Sequence, residues 1–278
     1  MTRRSATVTL LAGAGAAVLG VPTASAAQSP SIHKPLGSPP HPAAPTVVLI
    51  HGAFADASSW SAVVNLLQRE GHPVLAPALP LRGLAEDAAY ISSFLESVPG
   101  PVVLVGHSYG GAVISHAASG NPRVKALVYI AAFVPEVGES ALDLTSKFPG
   151  STLAQATTTQ FYPLPGGGRG EELLIKQALF RKQFAAGVPV DIAQVMAVGQ
   201  RPVAVKALQE KATAAAWKAI PSWCLVATQD RNIPPAAEQW MADRARAHTV
   251  RVVAPHAAAV SAPGAVAKLI LRAVHAIR

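Results

Sequence analysis

Five residues constrain this chain more than any others: Gly106-His107-Ser108-Tyr109-Gly110, a G-x-S-x-G motif. The motif stands directly behind the apolar run Pro101-Val102-Val103-Leu104-Val105. A small-residue, helix-compatible run follows it, Ala112-Val113-Ile114-Ser115-His116-Ala117-Ala118. Strand, tight turn, helix is the setting in which such a serine is turned out of a sheet and onto the first turn of a helix. A side chain at either glycine would meet the neighbouring strand or helix. The motif thus predicts a nucleophilic serine on an α/β scaffold.

The surrounding pattern agrees. Thr46-Val47-Val48-Leu49-Ile50 reads as a buried strand bounded by Pro45 and by His51-Gly52. Residues 59–70 carry helical apolar spacing at Trp60, Val63, Val64, Leu66 and Leu67, and Gly71 ends them. Further strands are expected at 73–77, 102–105 and 124–132, with helices at 84–98 and after the motif. Nearly continuous apolar strands alternating with helices predict a mostly parallel sheet with helices on both faces. The pattern changes over residues 135–217, where clear strands are few. That stretch holds the glycine-rich loop 166–170 and predicted helices at 171–186 and 204–219, and it reads as an inserted cap over the sheet. The α/β alternation resumes with a strand at 222–228, a helix at 235–246, a strand at 249–253 and a helix at 264–277. Half the residues are hydrophobic and only 14% are charged, so 278 residues suffice for the core of one large domain with an insertion.

The first residues read as an address. Arg3-Arg4, an apolar stretch over 8–21 and Ala24-Ser25-Ala26 make residues 1–26 a secretory signal peptide cut before Ala27. The paired arginines fit twin-arginine export, with the general secretory route as the alternative. The mature chain is therefore expected outside the cytoplasm, with no integral membrane segment. Residues 27–45 hold six prolines, from Pro30 to Pro45, and read as an extended linker ahead of a single α/β domain at 46–278. The single cysteine, Cys224, excludes an intramolecular disulfide and sits in the apolar run 223–227, as a buried strand residue would. The net charge of +8 falls to +6 without Arg3 and Arg4. Its basic residues are scattered and not interleaved with aromatics, which argues against nucleic acid as a partner. No CxxC or His-rich cluster is present, so neither a metal nor an organic cofactor is expected.

A serine hydroxyl needs a base to accept its proton and a carboxylate to orient that base. On such a scaffold the parts follow in the order Ser, Asp, His at strand ends. Asp230 follows the strand ending at Thr228, and His256 follows the strand ending at Val253. The rivals fit less well. Asp243 falls mid-helix, His248 precedes a strand, His275 lies on the last helix, and His107 reads as a packing residue. Two backbone N–H groups are expected to receive the oxyanion. One is that of Tyr109; the other is that of Ala53, with Phe54 as the alternative and as a substrate contact. His51 is expected to brace that loop.

At these residues the chain resembles the α/β-hydrolase superfamily. More narrowly, it resembles bacterial esterase-like proteins related to the plant methylesterase and hydroxynitrile lyase family. The resemblance rests on the run from Val48 to Ala53 with Trp60, on Gly106 to Gly111, on Tyr129 to Pro135, on Asp230 to Pro234 and on the region from His256 to Lys268. It implies a Ser108–His256–Asp230 triad acting on carboxylic esters. The lyase branch places a threonine after the first-strand histidine and a lysine after the catalytic one. Here those positions are Gly52 and Ala257, which disfavours a lyase. Methylesterases carry a bulkier residue at the second position, so Ala257 implies a roomier pocket.

The expected partner is a small-molecule ester or lactone, apolar, uncharged and of small to medium size. The competing reading is a small-molecule-binding protein on the same fold with little or no turnover. Phe148, Phe161, Tyr162, Phe180, Phe184 and Met196 are the candidates from the cap for lining the pocket. The oligomeric state is not legible.

Overall fold

A computed structural model describes residues 44–277. The expected export signal, and all but the last two residues of the proline-rich segment, lie outside the described residues. The chain opens with β1 (Thr46–Ile50), a single 3-10 turn, α1 (Ser61–Arg69), β2 (Val74–Leu75) and α2 (Leu84–Glu96). It continues through β3 (Val102–Ser108), α3 (Tyr109–Ala117) and β4 (Val124–Ala132). An insert follows: α4 (Ala141–Ser146), α5 (Leu153–Ala156), β5 (Thr157–Pro163), β6 (Arg169–Ile175), α6 (Gln177–Gln183), α7 (Val190–Gly199), β7 (Val203–Ala204) and α8 (Val205–Gln209). The chain then returns to the sheet with β8 (Ser222–Ala227), α9 (Pro235–Arg244), β9 (His248–Val252), α10 (Ala258–Ser261) and α11 (Pro263–Ala276).

Six strands form one wholly parallel sheet in the order β2-β1-β3-β4-β8-β9. Side chains alternate between its faces, and both faces are covered. Val47, Leu49, Val103 and Val105 meet Val63 and Leu67 of α1 and Leu269 and Ile270 of α11. Val48, Ile50 and Leu104 belong to the opposite core, with Ile91 and Leu95 of α2. This is why the central strands read as unbroken apolar runs.

The insert departs from expectation. Residues 157–163 and 169–175 form an antiparallel hairpin, extended by β7 into a three-stranded sheet. The segment 171–175, predicted to be helical, is strand, and helix begins only at Gln177. Gly166, Gly167 and Gly168 all take positive φ in the turn that reverses the chain. The expected helix at 204–219 is reduced to α8 and a short 3-10 turn, and α7 lies where no helix was expected. Glu171-Glu172-Leu173-Leu174-Ile175 has helix-forming composition, but pairing with β5 and burial of Glu172 and Ile175 decide its form. Among the described residues no helix is long and apolar enough to cross a membrane.

Candidate active site

Strand β3 runs straight into Ser108, whose φ of 53° and ψ of −123° break the strand and start α3 in one residue. The neighbouring backbone makes this bend possible only with glycine on both sides. A Cβ on Gly106 would lie 2.6 Å from the Gly110 carbonyl oxygen, and one on Gly110 would lie 2.7 Å from that of Ile50. The hydroxyl of Ser108 is thereby lifted above the end of the sheet, and Tyr109 presents its N–H at the first position of α3.

His256 stands in the loop between β9 and α10, almost wholly buried. Its Nε2 is 2.8 Å from Ser108 Oγ, and its Nδ1 is 2.5 Å from Asp230 Oδ2. A carboxylate only accepts, so Nδ1 carries the proton and Nε2 is left to accept from the serine hydroxyl. Asp230 is itself fixed: its Oδ1 accepts from the N–H groups of Asn232 (2.6 Å) and Ile233 (3.0 Å). Three side chains from the ends of β3, β8 and β9 thus form one hydrogen-bonded line.

The support around that line was only partly legible. His107 does more than pack: its Nε2–H donates to the His256 carbonyl at 2.9 Å, and burial pushes its imidazole well below its ordinary value. The ring lies edge-on to Trp60 and Phe184. Phe184 also stands edge-on to His256 at 5.0 Å, and its carbonyl accepts from the N–H of Ala257. From α6, Gln183 donates to the Arg231 carbonyl and to Asn232 Oδ1, so the insert clamps the loop that bears Asp230. His51 braces the first loop: Nδ1–H donates to the Gly52 carbonyl, and Nε2 accepts from Leu79 N–H. The rivals lie elsewhere. His248 opens β9, rather than preceding it, and stacks on Trp223. Asp243 is exposed in the last turn of α9, accepting from Gln239. Cys224 is buried in β8, with its thiol pushed up by burial.

A cavity of about 340 Å³ opens above Ser108. Ala53, Phe54, Tyr109, Phe148, Leu173 and Ile233 are among its walls, and no lining side chain carries a formal charge. The Phe54 N–H donates to the Arg201 carbonyl at 3.1 Å and is thus already engaged. Of the six cap candidates only Phe148 lines this cavity. Phe180 and Phe184 are fully buried in the core of the insert, Phe161 is exposed, and Tyr162 lies under the Arg82 guanidinium. Met196 lines a second cavity, also about 340 Å³, which shares the Phe54 wall but not Ser108. Ala257 is not among the residues lining the Ser108 cavity. Beneath the elbow, Tyr109 Oη–H donates to the buried Asp87 at 2.8 Å. Burial pushes Asp87 up to about 6, against the opposing hydrogen bonds.

Known proteins of this build carry related names. The chain is 35% identical over 113 residues to the carbendazim hydrolyzing esterase of Nocardioides sp., a match spanning 36% of this chain and 47% of that protein. The chain thus spans about half the length of that relative. It is 25% identical over 217 residues to methylesterase 1 of Arabidopsis thaliana, covering 70% and 82% of the two chains. The crystal structure of polyneuridine aldehyde esterase superposes with a TM-score of 0.71 at 20% identity, over 82% of this chain and 98% of that one. The sequence model of the alpha/beta hydrolase family matches residues 47–269. With a parallel six-stranded sheet, a small antiparallel insert and a serine at the β3–α3 bend, this chain belongs to the alpha/beta hydrolase family.

Proposed function

We propose that the protein hydrolyses a carboxylic ester or lactone of a small to medium, uncharged, apolar substrate. One observation carries the reading: the hydrogen-bonded line Ser108–His256–Asp230 opens onto a cavity without charged walls. His256 Nε2 takes the Ser108 proton as Oγ attacks the ester carbonyl. The N–H groups of Ala53 and Tyr109 receive the oxyanion, and Asp230 holds the imidazole and stabilises its cation. The collapsing intermediate expels the alcohol, which takes the proton from His256. A water activated by the same imidazole then releases the acid and restores Ser108. In a lactone the alcohol stays tethered to the acyl group.

Two features speak against a lyase. A Cβ on Gly52 would lie 2.7 Å from Ser108 Cβ, so a threonine there has no room. Ala257 supplies no positive charge for a departing cyanide. Against the binding-protein reading stands the hydrogen-bonded line itself, since a binding site has no use for a poised proton acceptor. The test is multiple turnover of short-chain p-nitrophenyl esters by the wild type and by Ser108→Ala. Loss of roughly 10³-fold or more in kcat is expected. A loss of two- to threefold in a folded variant removes Ser108 from its role. We also propose that residues 1–26 direct export, with the mature chain starting at Ala27, which N-terminal sequencing of the secreted protein checks.

A further inference from the structure

Glu238, on α9, is a carboxyl that the mechanism above does not use. It is only 4% exposed, and its Oε2 accepts from the N–H of Ala227, the last residue of β8, at 2.9 Å. The carbonyl of that same Ala227 accepts from the N–H of Asp230. The two acids are therefore anchored to one residue, and their carboxyls meet within hydrogen-bonding range. Glu238 Oε1 is buried and has no donor to accept from. An ionised Glu238 would leave that oxygen unpaired and facing a second negative charge. A single proton between the two carboxyls resolves both faults, because a protonated Oε1 becomes a donor.

The neighbours decide which acid holds the proton. Asp230 receives two backbone N–H groups and the Nδ1–H of His256, three donors to its oxygens. Glu238 receives one amide. Its surroundings are the Asp230 carboxylate from the loop after β8, the buried Cys224 of β8, and Arg251 of β9, whose guanidinium bonds Gln239.

We propose that Glu238 is a positioning residue, a neutral acid whose Oε1–H donates to Asp230 and extends the line to Glu238–Asp230–His256–Ser108. The proton stays on Glu238 through the cycle; its work is to hold Asp230 and to spread that carboxylate's charge. Burial and the Asp230 charge both push the Glu238 carboxyl well above the usual carboxylate range. The proposal rests on the reading of Ser108, His256 and Asp230 as a proton relay.

Two variants and one spectrum test it. Glu238→Leu fills the space without a donor, whereas Glu238→Gln offers an amide N–H to Asp230 and a carbonyl to Ala227. Leucine is expected to lower kcat by about 10- to 100-fold with little change in KM, the loss of a hydrogen bond to a charged group. It should also move the acid limb of the pH–rate profile. Glutamine should recover most of the rate with the acid limb in its wild-type place. An acid limb that drops by about one pH unit in Glu238→Gln means that a negative charge has been removed, and overturns the proposal. So does a leucine variant that matches the wild type. Independently of turnover, the infrared band of a protonated carboxyl should be present at pH 8, where Asp87 is ionised, and vanish in Glu238→Gln. Absence of the band in the wild type also overturns the proposal, even if the leucine variant fails to fold. A protein that shows the band but turns over no ester refutes the ester-hydrolase reading and leaves the protonation of Glu238 standing.

Discussion

Ser108 and Asp87 both hold locally unfavourable states. Ser108 sits at a positive φ that only glycine occupies freely, at a cost of about 1–3 kcal/mol. Asp87 is a lone buried carboxyl beneath the elbow, raised from 3.8 to about 6. The native chain therefore keeps this proton at pH values where the unfolded chain has released it, and stability falls as the pH rises through that window. Above about pH 6 the ionised group costs on the order of 3 kcal/mol. Asp87→Asn is thus expected to unfold at higher temperature than the wild type at pH 8, with a difference of about 1–3 kcal/mol that vanishes by pH 4. Thermal melts across that range check it. At this scale the line of Ser108, His256 and Asp230 was legible, because strand ends leave a mark in sequence: an apolar run, then the polar residue, then a turn. Glu238 left no such mark. It reads as one polar residue of a helix, and only the closing of α9 over the end of β8 makes it interior.

Among the elements, the central sheet was legible and the insert was not, for one physical reason. Each central strand is buried on both faces, so its composition alone declares it. The insert's hairpin strands are largely exposed, so no apolar run declares them, and their form depends on the glycine turn that pairs them. Thr158 pairs with Leu174 only once the glycine turn has reversed the chain. An arginine of the body also holds this hairpin. Arg82, in the loop before α2, ion-pairs with the buried Glu172 and stacks over Tyr162 at 4.2 Å, and Gln160 binds the other oxygen of Glu172. Arg82→Ala leaves a buried carboxylate without its cation, at about 1–3 kcal/mol after allowance for the arginine's partial exposure. Backbone amides of β5 and β6 should then exchange with deuterium about tenfold faster or more, while those of β3 and β4 keep their protection. Equal loss in both sheets would mean that the hairpin does not open on its own.

On the scale of the whole molecule, the sheet gathers residues 108, 230 and 256 at one edge because parallel strands all end on the same side. The insert then supplies both roof and buttress: Phe148 and Leu173 face the cavity, while Gln183 and Phe184 hold the loops of Asp230 and His256. The chain's excess positive charge has no counterpart in that cavity, whose walls are neutral. Phe54 carries a further consequence. It lines both cavities of about 340 Å³, and only one of the two is also lined by Ser108. On the proposed ester-hydrolase reading, this shared side chain is the one to remove in a test of substrate reach. In Phe54→Ala the chambers should join, and selectivity should swing toward long acyl tails, with the laurate-to-butyrate ratio of kcat/KM rising at least about tenfold. An unchanged ratio would show that chain-length preference is governed elsewhere.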